Sequence, residues 1–367
     1  MNSEMTIGEA SGRESEPAGE VISAALYDSP FMRACRREPV PHTPVWLMRQ
    51  AGRYMREYRE VRARTSFLEL CKRPELASEV TVTAAERLGV DAAIIFADIL
   101  LIIEPMGLEL EFAKGEGPLI HNPVRTASDV SRLREVETVE SLDYVYEAIR
   151  LTRHSLKPDL PLIGFAGAPF TLASYIIEGG SSKNYVHAKS LMYTDGGAWH
   201  ALMALISRAL ARYLNAQIRA GAQAVQLFDS WVGCLSPEDY RRYVLPHTQS
   251  VIRAITPGTP VIHFGTGTAT LLELMREAGG NVIGLDWRVN LEEGWQRLGP
   301  EVGVMGNLDP VALFAGRDHV RAEARRILEL AAGRPGHIFN LGHGILPETP
   351  VENVIALVEA VHEMSRR

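Results

Sequence analysis

Four arginines fall between positions 49 and 59 of the segment PVWLMRQAGRYMREYRE (44–60): Arg49, Arg53, Arg56 and Arg59. They follow directly on a short apolar run. Guanidiniums grip carboxylates and phosphates bidentately, so such a cluster at a strand end suits an anionic ligand. Arg49 and Arg53 flank Gly52, whose missing side chain lets a ligand approach the backbone. If the segment is helical, Arg49, Arg53 and Arg56, four and three apart, share one face. Arg56, Arg59, Arg62 and Arg64 also read as a solvated face paired with Glu57 and Glu60. Asp98 closes AAIIFAD and is followed by ILLII. A lone carboxylate in such surroundings is costly unless it is paired or hydrogen-bonded. It reads equally as the cap of the segment that follows. The turn GFAGAP (164–169) brings Phe165 and Gly167 but matches neither GxGxxG nor GxxxxGK[ST], so a nucleotide reading is weak. Tyr175 alone reads as core, Ser230 lacks the GxSxG elbow of serine hydrolases, and His343 in NLGHG reads as either site or structure. No HExxH motif occurs, and His263, inside PVIHFG without a neighbouring cysteine, reads as core.

The elements that must position these residues are visible as eight apolar runs. They are VWLM (45–48), AAIIFAD (92–98), PLIGFAG (161–167), AVQLFD (224–229), PVIHFG (260–265), NVIGLD (281–286), VGVMGNL (302–308) and HIFNLG (337–342). Each suits a strand buried on both faces, as parallel sheets demand. Amphipathic helical stretches lie between them, after Pro74, in GAWHALMALISRALARYLNAQIRAG, from SPEDYRRYVLPHTQSVIRAI, in ATLLELMREAGG and in the last 50 residues. Eight strands alternating with helices predict an α/β protein, a (β/α)8 TIM barrel, with an open doubly wound sheet as runner-up. The stretch 108–124 predicts a small β insertion after strand 2. In a barrel, chemistry gathers where the strands end, and there the candidates above fall.

Bulk composition narrows the partners. The chain has 367 residues, 46% hydrophobic and 23% charged, with a net charge of -7. That balance argues against general nucleic-acid binding, so a polyanionic small ligand needs a local cationic cluster. Cys35, Cys71 and Cys234 are widely spaced, which fits a reducing cytoplasm. No run of about 18 apolar residues predicts a membrane span. Residues 1–20 carry five Glu against one Arg, lack the apolar core of a signal peptide, and read as a disordered acidic tail ahead of a single catalytic domain, 21–367.

Taken together, RQAGRY (49–54), FADIL (96–100), GFAGAPFTLASYIIEGG (164–180), FDSW (228–231), GNLDP (306–310) and FNLGHG (339–344) resemble the uroporphyrinogen decarboxylase family from about Ser29 onward. The resemblance implies a cofactor-free, metal-free barrel, usually a homodimer, acting in porphyrin and heme biosynthesis. Such an enzyme removes the four acetate carboxyls of uroporphyrinogen III as CO2 to give coproporphyrinogen III. It implies that Arg49, Gln50, Ala51, Gly52, Arg53 and His343 hold peripheral carboxylates of an octacarboxylic tetrapyrrole, and that Asp98 faces the pyrrole NH groups. Tyr175 and Ser230 then touch the substrate edge, and Phe165 and Gly167 shape the floor. Asp98, with Arg49, would carry the catalysis. A zinc-dependent cobalamin methyltransferase on the same barrel is the alternative, disfavoured because Gly265 stands where a cysteine ligand would follow His263. A non-catalytic tetrapyrrole binder would keep the arginines but could dispense with Asp98.

Overall fold

The computed structural model describes residues 23–113 and 117–367; the acidic tail expected over 1–20 lies outside them. Nine strands form among these residues: β1 (Ala93–Ile94), β2 (Leu110–Ala113), β3 (Gly117–Ile120), β4 (Leu162–Gly167), β5 (Ala224–Asp229), β6 (Val261–Gly265), β7 (Val282–Gly284), β8 (Gly303–Met305) and β9 (His337–Ile338). Seven of them pair in parallel in the order β1-β4-β5-β6-β7-β8-β9. The eighth position is a single parallel bridge from Val45 to Phe339. Phe339 N–H donates to Pro44 O at 2.8 Å, and Asp91 N–H donates to Val45 O at 2.8 Å. Val45 therefore joins β9 to the start of β1 and closes the (β/α)8 ring.

VWLM was expected as a full strand, and it shrinks to one bridge because side chains satisfy the backbone beyond Val45. Leu47 N–H donates to Gln50 Oε1 at 3.2 Å and Met48 N–H to Asn340 Oδ1 at 3.2 Å. Side chains there take the ladder's place and release the backbone into a turn. The 108–124 insertion is an antiparallel hairpin, β2 with β3.

Every residue of β4 is buried, as a strand covered on both faces should be. Inside the ring, Phe165, Phe228 and Phe264 meet edge to face, with centroids 5.5 and 6.1 Å apart. Outside it lie the expected helices, including Pro74–Leu88, Gly196–Arg219, Leu272–Ala278, Arg317–Ala331 and Val351–Ser365. The Ser-x-x-Asp start is realised: Asp239 N–H donates to Ser236 Oγ at 3.1 Å. The helix then passes through a π segment, Tyr240–Val244, before resuming as Leu245–Arg253. Pro246 has no N–H with which to continue the ladder, and the wider turn absorbs that loss.

Candidate active site

Residues 48–55 are turns, and the helix begins only at Arg56 (Arg56–Arg62). The shared helical face expected for Arg49, Arg53 and Arg56 therefore does not exist. The turn separates them instead. Arg56 pairs with Glu60 at 2.7 Å on the surface. Arg59 donates to the carbonyls of Arg53 and Tyr54 at 2.9 and 2.8 Å, and Arg62 donates to Thr65 O. Glu57 pairs with Arg87 rather than with Arg56. These arginines are structural. Arg49 and Arg53 are exposed, and neither forms an ion pair among the described residues.

Arg49 has a left-handed backbone, φ +62°, which costs about 1–2 kcal/mol for a residue with a Cβ. That turn lays its side chain across Gly344: a Cβ on Gly344 would fall 2.5 Å from Arg49 Cδ. Gly52 answers first to the same turn, since a Cβ there would lie 2.9 Å from Arg49 O. The Gln50 side chain braces the turn. It is 1% exposed, accepts from Leu47 N–H, and directs Nε2 to Ala92 O at 3.4 Å. Ala51 is half-buried against the core.

Asp98 lies just past β1. Its Oδ1 accepts the Leu100 N–H at 2.8 Å, ahead of a short 3-10 turn at Leu101–Ile103. That contact is a local turn rather than the expected helix cap, since Leu100 is the residue that caps the 3-10 turn, without a side-chain bond. Oδ2 has no hydrogen-bond donor among the described residues. Burial pushes this carboxyl up to about 6, against the opposing pull of the Leu100 N–H and of the Arg49 charge. Tyr175, 9% exposed, is raised by burial and by the nearby Asp98 charge. Burial first, and then the Arg49 charge, lowers the His343 imidazole below its ordinary value. Arg49 thus sits within electrostatic reach of Asp98, Tyr175 and His343 together.

The other predicted residues frame this group. Phe165 is buried against Phe228. Gly167 is buried too, and a Cβ there would strike Leu172 at 2.8 Å and Ile99 at 3.3 Å. Its missing side chain lets the loop that carries Asp98 pack closely against β4. Ser230 is half-buried, and its carbonyl accepts from Thr266 Oγ1 at 2.5 Å. His263 is fully buried, 3.6 Å from the equally buried Asp229, as a core residue.

Three further side chains border this group. Trp231 packs edge to face on Tyr175 with centroids 5.8 Å apart, and FDSW already contained it. Trp287 stands edge-on to His343 at 6.5 Å. Arg288 covers the Trp287 ring at 3.9 Å and pairs with the buried Asp286 at 2.8 Å. The spacing of NVIGLD pointed to this strand end, but not to a guanidinium turned beside a histidine.

Fold and site together define a parallel (β/α) barrel with a cationic, partly desolvated mouth around one carboxylate, a class suited to anionic organic substrates. The family model for uroporphyrinogen decarboxylase (URO-D) matches residues 26–364. The chain belongs to that family. It is 60% identical over 336 residues to the uroporphyrinogen decarboxylase of Carboxydothermus hydrogenoformans, covering 91% of this chain and 96% of that one. It is 59% identical over 337 residues to that of Sorangium cellulosum, covering 92% and 96%. Among solved structures, a methyltransferase from Methanosarcina mazei shares the fold, with a TM-score of 0.73 at 22% identity over 92% of this chain and 98% of that one.

Proposed function

We propose that this chain is a carboxy-lyase that converts uroporphyrinogen III to coproporphyrinogen III by releasing four acetate carboxyls as CO2. The relatives near 60% identity, matched over almost their whole length, support that activity. The observation that carries the mechanism is Asp98: a carboxyl desolvated at the mouth, one oxygen held by a backbone N–H, the other without a donor.

In each cycle a proton adds to the pyrrole carbon next to the one that bears the acetate. The bond from the methylene to the carboxylate then breaks, and its electron pair flows into the cationic ring. The methylene takes up a proton to become a methyl group as the ring carbon gives its own back. The net change is one proton consumed and one CO2 released. Because the ring holds the electrons, the residues need only bind, orient and stabilise. Asp98 Oδ2 accepts from the pyrrole NH groups and offsets the positive charge that develops on the ring. Arg49 and Arg53 bind peripheral carboxylates. His343 offers a hydrogen bond at the rim. Ser230, Tyr175 and Phe165 line the substrate edge.

The methyltransferase alternative needs cysteine ligands, and Gly265 follows His263–Phe264. We also read the protein as cytoplasmic and dimeric. All three cysteines are free, no helix among the described residues is long and apolar enough to cross a membrane, and Val186, Tyr193, Val311 and Phe314 are exposed apolar side chains. Anaerobic incubation with chemically reduced uroporphyrinogen III, followed by oxidation and chromatography, tests the activity. Products stepping from eight carboxyls to four are expected; an unchanged octacarboxylate would refute it.

A further inference from the structure

At the opposite end of the barrel three side chains from distant parts of the chain converge. His42 precedes the Val45 bridge, Asp91 precedes β1, and His362 lies on the C-terminal helix, Val351–Ser365. His42 Nε2 is 2.9 Å from Asp91 Oδ1, and His362 Nε2 is 2.7 Å from Asp91 Oδ2. The two imidazoles meet edge to face, 4.6 Å between centroids. All three ligand atoms lie within 4.8 Å of one another. We propose that His42, Asp91 and His362 form a binding site for a borderline divalent transition ion, zinc or its close relatives cobalt and nickel, that clamps the closing seam of the barrel.

The chemistry of the donor set points there. Two imidazole nitrogens and one carboxylate oxygen suit zinc, cobalt and nickel, whereas calcium and magnesium prefer all-oxygen sites. A tetrahedral ion bound at about 2.0–2.1 Å holds its ligand atoms roughly 3.3 Å apart. The two nitrogen–oxygen contacts would open by about half an ångström, and the two imidazole nitrogens, now held by different oxygens of Asp91, would turn toward one ion. Asp91 is already oriented, because its Oδ2 also accepts the Val45 N–H at 2.7 Å, the kind of outer hydrogen bond that fixes a ligating carboxylate. The side chains are 25%, 12% and 28% exposed for His42, Asp91 and His362, so a hydrated ion can enter and keep water as its fourth ligand. Without an ion the two rings donate N–H to the carboxylate; with one, the same nitrogens offer lone pairs and the protons move to Nδ1.

The location assigns the ion a structural part. The first strand is reduced to one bridge at Val45, and the carboxylate that would bind the ion holds that residue's N–H. An ion there ties the first strand, β1 and the last helix into one knot, on the face of a barrel that serves stability rather than chemistry. The proposal stands apart from the decarboxylation reading and uses none of its residues.

The test is titration of the metal-stripped full chain with Co2+ and Zn2+. It follows the cobalt visible band, calorimetric stoichiometry and thermal unfolding, for wild type, His42→Gln, His362→Gln and His247→Gln. Melting in chelator shows that each variant folds. The expected result is one saturable ion per chain that raises the melting temperature. Binding should weaken by at least about tenfold in His42→Gln and His362→Gln and stay unchanged in His247→Gln, a control on the separate His200–His247 pair. No saturable ion, binding that survives both variants, or binding lost in His247→Gln would each overturn the site.

Discussion

Two aspartates bracket the same short strand and end in opposite states. Asp91 stands before β1 and Asp98 after it. Burial pushes the Asp91 carboxyl up, yet hydrogen bonds from His362, His42 and the Val45 N–H outweigh that effect and leave it below its ordinary value. Burial pushes Asp98 up as well, but one backbone N–H and the Arg49 charge do not offset it, and it rises to about 6. The difference lies in satisfaction rather than burial. The engaged Asp91 carboxylate ties the seam of the barrel, whereas Asp98 keeps one oxygen for a further hydrogen bond at the mouth.

The contrast is open to attack by substitution, and the largest effect belongs to the mouth. Asp98→Asn removes the charge at nearly constant volume and should lower kcat by about 10²–10³, measured by steady-state carboxyl release; near-normal turnover would place Asp98 with the structural caps. Arg49→Ala should reduce kcat/KM by about 2–4 kcal/mol, with KM carrying most of the change. Arg53→Ala, exposed like Arg49 but with no left-handed turn to fix its side chain, should lose about 1 kcal/mol or less. An equal loss in the two variants would remove the special place given to Arg49 by its turn.

At the other end, Asp91→Asn should cost about 1–3 kcal/mol of stability by chemical denaturation while kcat stays unchanged. Because the folded pKa of Asp91 is depressed, its stabilisation is present above about pH 4 and is lost as pH falls through the folded value. Asp98 has the reverse sign. Its raised folded pKa leaves stability untouched below about pH 4 and lowers it as pH climbs to about 6, where the buried charge forms. Asp98→Asn should therefore be more stable than wild type at pH 8, on the order of 1–2 kcal/mol because water still reaches the mouth, and equal to it near pH 4. Equal stability at both pH values would show that Asp98 carries no strain. The smallest effect is expected of Gly344→Ala. The new Cβ falls 2.5 Å from Arg49 Cδ and 2.7 Å from Cγ, so the side chain must shift, and KM should rise by about twofold to threefold with a stability loss of about 1 kcal/mol.

Much of this arrangement was legible in the sequence. AVQLFD is β5 residue for residue, because an apolar run bounded by a turn leaves little choice of boundaries. The strand-end rule led to Asp98 and His343 before any geometry was known. What escaped depends on side chains standing in for backbone. Gln50 and Asn340 take over the hydrogen bonds of the first strand, and nothing local in VWLMRQ says so. Arg49 and Arg53 stood out by residue type and strand-end position, but a turn rather than a helix presents them. The His42–Asp91–His362 cluster was out of reach, because His42 lies 49 residues from Asp91 and His362 lies 271 from it, and no motif spans such gaps. Trp231 and Arg288 stood in stretches already singled out, yet only packing reveals what a tryptophan or an arginine faces.

The central claim is that the spare oxygen of Asp98 drives decarboxylation. The most direct test is a single-turnover anaerobic reaction of wild type and Asp98→Asn with uroporphyrinogen III, counting product carboxyls by chromatography and following binding by tryptophan fluorescence. Wild type should pass from eight carboxyls to four, while the variant binds and remains at eight. A variant that reaches four carboxyls at a rate near that of wild type would contradict the account.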